Sequence, residues 1–334
     1  MTPAPGPPGA PAGPGDDEYA CAMPAPVCLI VNPASGGGRG GRLAPPVLDE
    51  LRRLGLTARR QDTRDLAHAR ALALEAAHAG ESAVALGGDG LVGAVADALR
   101  AVPGAVLGVL PGGRGNDLAR VLGIARDPVA ACATIAHGSA RPLDLGEVAG
   151  RTFVGIASAG FDSEANRIAN AAPARLGNLV YAYGALRALA AWHPAHFQIE
   201  LHPSGERVRF TGYTVAAASS RAYGGGMLIA PDADLQDGLL DVVLIEAVGR
   251  LRFLANLPRV FSGAHVRLPE VRVLRAAEVT IEADRPFALY ADGDPIAQLP
   301  ARVRALPAAV SVLVPQDSPL RAATSSPAGR DDSA

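Results

Sequence analysis

Three times in the first part of the chain a short apolar run ends in a glycine-rich loop. Val27 to Val31 leads into Asn32-Pro33-Ala34-Ser35-Gly36-Gly37-Gly38, and Ala83 to Leu86 into Gly87-Gly88-Asp89-Gly90. Val106 to Leu110 leads into Pro111-Gly112-Gly113-Arg114-Gly115-Asn116-Asp117. Helical periodicity over Leu43 to Leu54, Asp65 to Ala79 and Val92 to Arg100 fills the intervals. This βαβα order implies a parallel sheet with helices on its faces. All three loops then leave one edge, beyond the carboxyl ends of the strands, where such sheets bind ligands. Glycine lets backbone approach a phosphate closely, and a helix N-terminus adds unpaired N–H groups. One such loop is most often only a turn, but three in register on one edge are hard to read that way. None is a Walker loop, because no Gly-Lys-Ser/Thr follows.

The pattern changes after about Leu145. Phe153 to Ala159, Phe197 to Leu201, Arg207 to Ala218, Leu240 to Ile245, Val271 to Ile281 and Phe287 to Tyr290 read as strands between Gly, Pro and Asp turns. Helical stretches lie near Asn166 to Ala190 and Leu251 to Phe261. At 334 residues the chain exceeds the usual size of one core, so two domains are expected, with a ligand cleft between them. The last apolar run, Ala309 to Val314, is expected to return to the first domain. The boundaries read as a disordered leader over 1–25, an α/β domain over 26–145 with a return strand in 300–315, a β-rich domain over 146–299, and a tail over 316–334.

A net charge of −2 argues against a nucleic-acid partner, which needs a basic excess to neutralise phosphates. No apolar run approaches the ~18 to 20 residues that span a bilayer, so any membrane contact is expected to be peripheral. The Pro-, Gly- and Ala-rich start lacks the basic and apolar regions of a secretory signal. Cys21, Cys28 and Cys132 fit neither a disulfide framework nor a zinc site, which points to the reducing cytoplasm.

The set of motifs resembles the bacterial diacylglycerol kinase and sphingosine kinase superfamily, whose fold is similar to that of NAD kinases and whose nucleotide loop reads Gly-Gly-Asp-Gly. The resemblance runs from Val27 to Pro315. It includes Gly160-Phe161-Asp162, Tyr223-Gly224-Gly225-Gly226-Met227 with Pro231-Asp232-Ala233, Asp237-Gly238-Leu239-Leu240-Asp241-Val242, and Tyr290-Ala291-Asp292-Gly293-Asp294-Pro295. The later motifs belong to the lipid kinases. The implied fold is α/β plus β: an N-terminal Rossmann-like parallel α/β nucleotide domain and a C-terminal antiparallel β-sandwich-like domain. The implied activity is transfer of the γ-phosphate of ATP, with Mg²⁺, to the hydroxyl of membrane diacylglycerol at the cytoplasmic face. Relatives are often dimers, so a homodimer is implied as well.

Carried over, the resemblance gives nucleotide contacts to Asn32, Pro33, Ser35, Gly36, Thr63, Gly88, Asp89, Gly90, Leu91, Gly113, Arg114 and Asn116. It gives Mg²⁺ organisation to Asp89, supported by Asn116, Asp117, Asp144 and Asp292, and a structural Mg²⁺ to Asp234, Asp237 and the carbonyl of Leu239. Asp294 stands where relatives carry the presumed general base, a Glu, and is one methylene shorter. From the residues alone, Asp117 can also be read as a helix cap, and Asp237-Gly238 and Asp292-Gly293 as turns between strands. Leu91, Gly93, Ala94 and Arg114 depart from the family's usual Thr, Asn, Glu and Thr. An Arg at 114 could hold the same phosphate by charge. Sphingosine, ceramide or another long-chain alcohol is an alternative acceptor. NAD kinase and a catalytically weakened lipid-binding protein are the other readings.

Overall fold

The computed structural model describes residues 25–170, 184 and 187–320. The expected leader and the end of the tail lie outside the described residues, as does most of the expected helix near Asn166 to Ala190.

Strands β1 (Val27–Val31), β2 (Ala58–Asp62), β3 (Ser82–Gly87) and β4 (Val106–Pro111) form a parallel sheet in the order β2-β1-β3-β4. Helix α1 (Ser35–Arg53) presents Ala44, Val47, Leu48 and Leu51 to the core at helical spacing. Helix α2 (Leu66–His78) starts where the Asp65 carboxylate accepts from the His68 amide at 2.7 Å. Helices α3 (Asp89–Leu99), α4 (Asp117–Val121) and α5 (Pro128–His137) complete this part. Two elements lie outside the expected set. β2 is an edge strand reading Ala-Arg-Arg-Gln-Asp, none of it buried, and α5 is an apolar segment, Pro-Val-Ala-Ala-Cys-Ala-Thr-Ile-Ala-His, that starts at its Asp127 cap with Pro128 in the first turn.

The second part is antiparallel. It comprises β5 (Ser139–Val148), β6 (Arg151–Phe153), β7 (Ile156–Gly160), α6 (Phe161–Asn170), β8 (Ala195–His202), β9 (Arg207–Ala218), β10 (Leu240–Glu246), α7 (Arg250–Asn256), β11 (Val271–Ala276), β12 (Glu278–Ala283), β13 (Ala288–Ala291), β14 (Asp294–Gln298) and β15 (Ala301–Val314). A core of Phe153, Phe197, Ile199, Val215, Leu244, Val279, Ile281, Leu289 and Val303 lies inside it. Two expected single strands are each split. Val271 to Ile281 divides because β11 pairs with β10 while β12 pairs with β8 and β15. Phe153 to Ala159 breaks at Val154-Gly155, for a reason that lies in the site described below.

The two parts share β15, which pairs with β12 at one end and runs parallel to β4 through Ser311 and Val312 at the other. It also runs antiparallel to β5 along nearly its whole length, interrupted by a bulge between Leu306 and Val310. Asp144 of β5 holds that bulge. Its carboxylate accepts from the amides of Ala308 and Gly238, both at 2.7 Å, and its own amide donates to the Leu235 carbonyl at 2.8 Å. Burial raises its pKa above the ordinary range. Asp144→Ala should strand two amides at about 1–3 kcal/mol each and lower the urea midpoint accordingly. An alanine variant as stable as the parent would remove Asp144 from this role.

Candidate active site

The three glycine-rich loops leave the same edge of the parallel sheet, at the ends of β1, β3 and β4. Glycine is needed there first for contact between the loops themselves. A Cβ on Gly113 would strike the Cα of Gly88, and one on Gly112 would sit 3.0 Å from the Gly87 amide nitrogen. Gly36, Gly37 and Gly38 are successive left-handed residues, and Ser35 reaches across to donate to the Gly112 carbonyl at 3.2 Å. Asn32 bonds its own loop, its side-chain oxygen accepting from the Ala34 amide at 3.1 Å, and Pro33 follows it in the same turn. Thr63, at the end of β2, donates its amide to the Val31 carbonyl at 2.8 Å. Asn116 is left-handed and closes its loop by two bonds with Gly113.

A cleft of about 360 Å³ opens against this edge. From the first part it is lined by Asp89, Arg114, Gly115, Asp117 and Leu118. From the second it is lined by Val154, Gly155, Ser220, Ala222, Tyr223, Gly224, Gly225, Asp292 and Gly293. Asp89 accepts from the Leu118 amide at 3.1 Å and so caps α4 from a neighbouring loop. The second oxygens of Asp89 and Asp117 both lie 3.1 Å from where a Gly115 Cβ would be, so the two carboxylates converge. Burial raises the Asp89 pKa, opposed by the Leu118 amide and aided by Asp117.

Asp117 is a clasp between the two parts. One oxygen pairs with Arg120, and the other accepts from the Gly225 amide at 2.8 Å. Gly225 is the middle of three left-handed glycines at a hairpin tip closed by Tyr223 and Met227.

Asp292 is the second clasp. It and Gly293, both at positive φ, form the two-residue turn between β13 and β14. Its Oδ2 accepts from the Val154 amide at 2.8 Å, and its Oδ1 from Gly155 at 2.9 Å and Ile156 at 3.3 Å. Those three amides are turned toward the carboxylate, which is why the strand breaks at Val154-Gly155. A carboxylate has about four acceptor positions, so one on Oδ2 remains. Gly93 of α3 faces that oxygen, a Cβ there lying 3.7 Å from it, so the glycine leaves space beside the free lone pair. Enclosure raises the Asp292 pKa to about 7, opposed by the Val154 amide and aided by the charge of Asp89.

Several of the expected site residues lie outside the cleft lining. Asp294 is exposed at the start of β14 and outside the cleft lining, because it flanks the turn, whereas Asp292 at its tip faces inward. Asp144 holds the β15 bulge and is not part of the lining. Leu91 is buried, its side chain packed against Gly87, which replaces a polar contact with a core one. Gly88 is the N-cap of α3 and Gly90 lies in its first turn, and Arg114 is exposed at the cleft.

The Asp234–Leu239 segment makes a turn apart from the cleft. Asp234 accepts from the Gln236 amide at 3.1 Å and Asp237 from the Leu239 amide at 2.9 Å, while Arg275 pairs with Asp237. Asp241 beside it is pushed up to about 6 by burial, opposed by Arg275 and aided by Asp237, Asp232 and Asp234. One arginine against so many carboxylates leaves a surplus of negative oxygen donors, a chemistry suited to a hard divalent cation. Among the described residues no group of three His, Cys, Asp or Glu side chains could hold a metal by itself.

Residues 26–148 match a family model described as the diacylglycerol kinase catalytic domain. Residues 155–314 match one described as the YegS C-terminal NAD kinase beta sandwich-like domain. The chain is 36% identical over 300 residues to a diacylglycerol kinase of Mycobacterium tuberculosis, covering 87% of this chain and 95% of that protein. The chain belongs to the diacylglycerol kinase family. It is also 33% identical to a YegS-like lipid kinase of Pseudomonas aeruginosa, with 80% of this chain and 91% of that one covered. A crystal structure of a Bacillus anthracis protein, solved as a candidate diacylglycerol kinase, superposes with a TM-score of 0.75 at 20% identity. That match covers 90% of this chain and 98% of the other, and it supports the fold.

In this kinase, Gly155 tests the clasp directly, since a Cβ there would lie 2.5 Å from the Asp292 oxygen. Gly155→Ala should displace the carboxylate, cost about 1–3 kcal/mol of stability and lower kinase activity at least tenfold in folded protein. Parental activity in that variant would show that the position of Asp292 is immaterial.

Proposed function

We propose that this lipid kinase transfers the γ-phosphate of ATP to the hydroxyl of diacylglycerol, giving phosphatidic acid, at the cytoplasmic face of the membrane. In this reading residues 26–145, with the returning strand in 300–315, bind nucleotide, and 146–299 take the lipid. The observation that carries it is the convergence of Asp89, Asp117, Asp292 and Arg114 on one cleft at the glycine-rich edge.

The backbone amides of the three loops and the exposed Arg114 guanidinium receive the phosphates of ATP. Asp89 and Asp117 are the residues that would hold Mg²⁺, which would offset charge on the phosphates; Mg²⁺ is ordinarily held by one or two carboxylates plus phosphate oxygens. Asp292 faces them from the lipid side. Its free lone pair accepts the proton of the acceptor hydroxyl or orients that hydroxyl in line. A pKa near 7 keeps a large fraction of it ionised at neutral pH. Asp234, Asp237 and the Leu239 carbonyl are the residues that would hold a structural Mg²⁺.

The test is turnover of labelled ATP with Mg²⁺ against micelles of diacylglycerol, sphingosine or ceramide, with NAD alongside. Diacylglycerol should be the acceptor. Asp292→Asn should lower kcat by about 10²- to 10⁴-fold, whereas Asp294→Asn should change it little. The opposite ranking would return the catalytic role to Asp294. Phosphorylation of NAD alone would end the lipid reading, and no turnover of any acceptor would favour a lipid-binding protein.

A further inference from the structure

Of the five large apolar side chains exposed among the described residues, Leu251, Leu254 and Phe261 lie on one short stretch. Leu251 is 85% exposed and Phe261 59%. Leu251, Leu254 and Ala255 fall at i, i+3 and i+4 of α7, so they share its outer face, while Phe253 turns inward to pack with Phe161 and Tyr213. The chain then passes through a 3₁₀ turn, Leu257–Ser262, which carries Phe261 outward.

The charge here is of one sign. Between Ala247 and Pro269 there are four arginines, Arg250, Arg252, Arg259 and Arg267, and no Asp or Glu, in a chain whose net charge is −2. Arg252 is paired with Glu270 and Arg250 donates to the Trp192 carbonyl. Arg259 and Arg267 are exposed and have no ion pair among the described residues.

The stretch adjoins the cleft. The Leu228 amide donates to the Val260 carbonyl at 2.9 Å, and Val260 shares a core with Ile229, Tyr223 and Met227. Tyr223 and the glycines that follow it form a wall of the cleft.

We propose that the face formed by Leu251, Leu254 and Phe261, ringed by Arg259 and Arg267, is where the kinase docks on an anionic lipid surface, holding the Tyr223 wall of the cleft beside the bilayer. Exposed leucine and phenylalanine with flanking arginine is the chemistry of an interfacial anchor. Charge decides against a second copy of the chain. A two-fold contact sets a patch against itself, so it would bring arginine against arginine, whereas anionic headgroups complement it. This inference rests on the lipid-kinase reading only for its purpose, because vesicle binding is measured without turnover.

The experiment is cosedimentation of the full chain with phosphatidylcholine vesicles and with vesicles also containing phosphatidylglycerol. Turnover of a dispersed short-chain diacylglycerol is measured in parallel. The parent should bind the anionic vesicles, more weakly at high salt. Leu251→Ser/Phe261→Ser should lower the partition coefficient at least tenfold, and Arg259→Gln/Arg267→Gln should abolish most of the preference for phosphatidylglycerol, roughly tenfold or more. Both variants should turn over dispersed substrate as the parent does, which shows that they fold. Equal vesicle binding by parent and variants, or no binding by the parent, overturns the proposal. So does a parent dimer in sedimentation velocity that both variants abolish, since the face would then belong to a second copy. Absence of turnover with any diacylglycerol would instead sink the activity assigned above and leave the vesicle result to stand alone.

Discussion

The site depends on one carboxylate binding three consecutive amides. Asp292, at the tip of a two-residue turn, takes the N–H groups of Val154, Gly155 and Ile156. Unpaired amides in a half-buried position are costly, so breaking the strand there is tolerated only because an ionisable acceptor stands opposite. The geometry feeds back on the acid itself. Enclosure and the nearby charge of Asp89 raise its pKa, while the amides restrain the rise. A structural clasp thereby becomes a carboxylate poised near neutrality.

A second clasp works in the same way from the other direction. Asp117, on a loop of the parallel sheet, accepts from Gly225 on a hairpin of the antiparallel part. Behind the cleft, β5 and β15 run through both parts, and Asp144 holds the bulge where β15 changes partners. Continuous strands at the back and carboxylate-to-amide bonds at the front fix the two walls of the cleft relative to each other. In the proposed reading donor and acceptor groups come from different walls, and in-line transfer would need that fixity.

Much of this was legible in the sequence where local chemistry dictates the outcome. Apolar runs ending in glycine placed β1, β3 and β4 and their shared edge, βαβα order gave the parallel part, and short strands between Gly, Pro and Asp turns gave the β-rich part. Roles that depend on long-range contacts were not legible. Leu91 looked like a lost hydroxyl and is a core side chain. Gly93 looked like a lost side chain and makes room beside Asp292. Asp294 was favoured over Asp292 because the motif draws attention to its last acid. Only the turn conformation, with positive φ at both Asp292 and Gly293, shows which of the two faces the cleft. β2 was missed because an edge strand need not be apolar, and the Asp144 bulge because its partners are far along the chain.

The measurement that bears most directly on the central claim is the pH dependence of kcat/KM for the lipid acceptor, which reports ionisations of the free enzyme. A raised carboxyl must lose its proton before it can accept one, so the rate should climb as pH rises through about 7 and level off above it. A profile flat down to pH ~5, where an ordinary carboxylate is still ionised, would contradict the account.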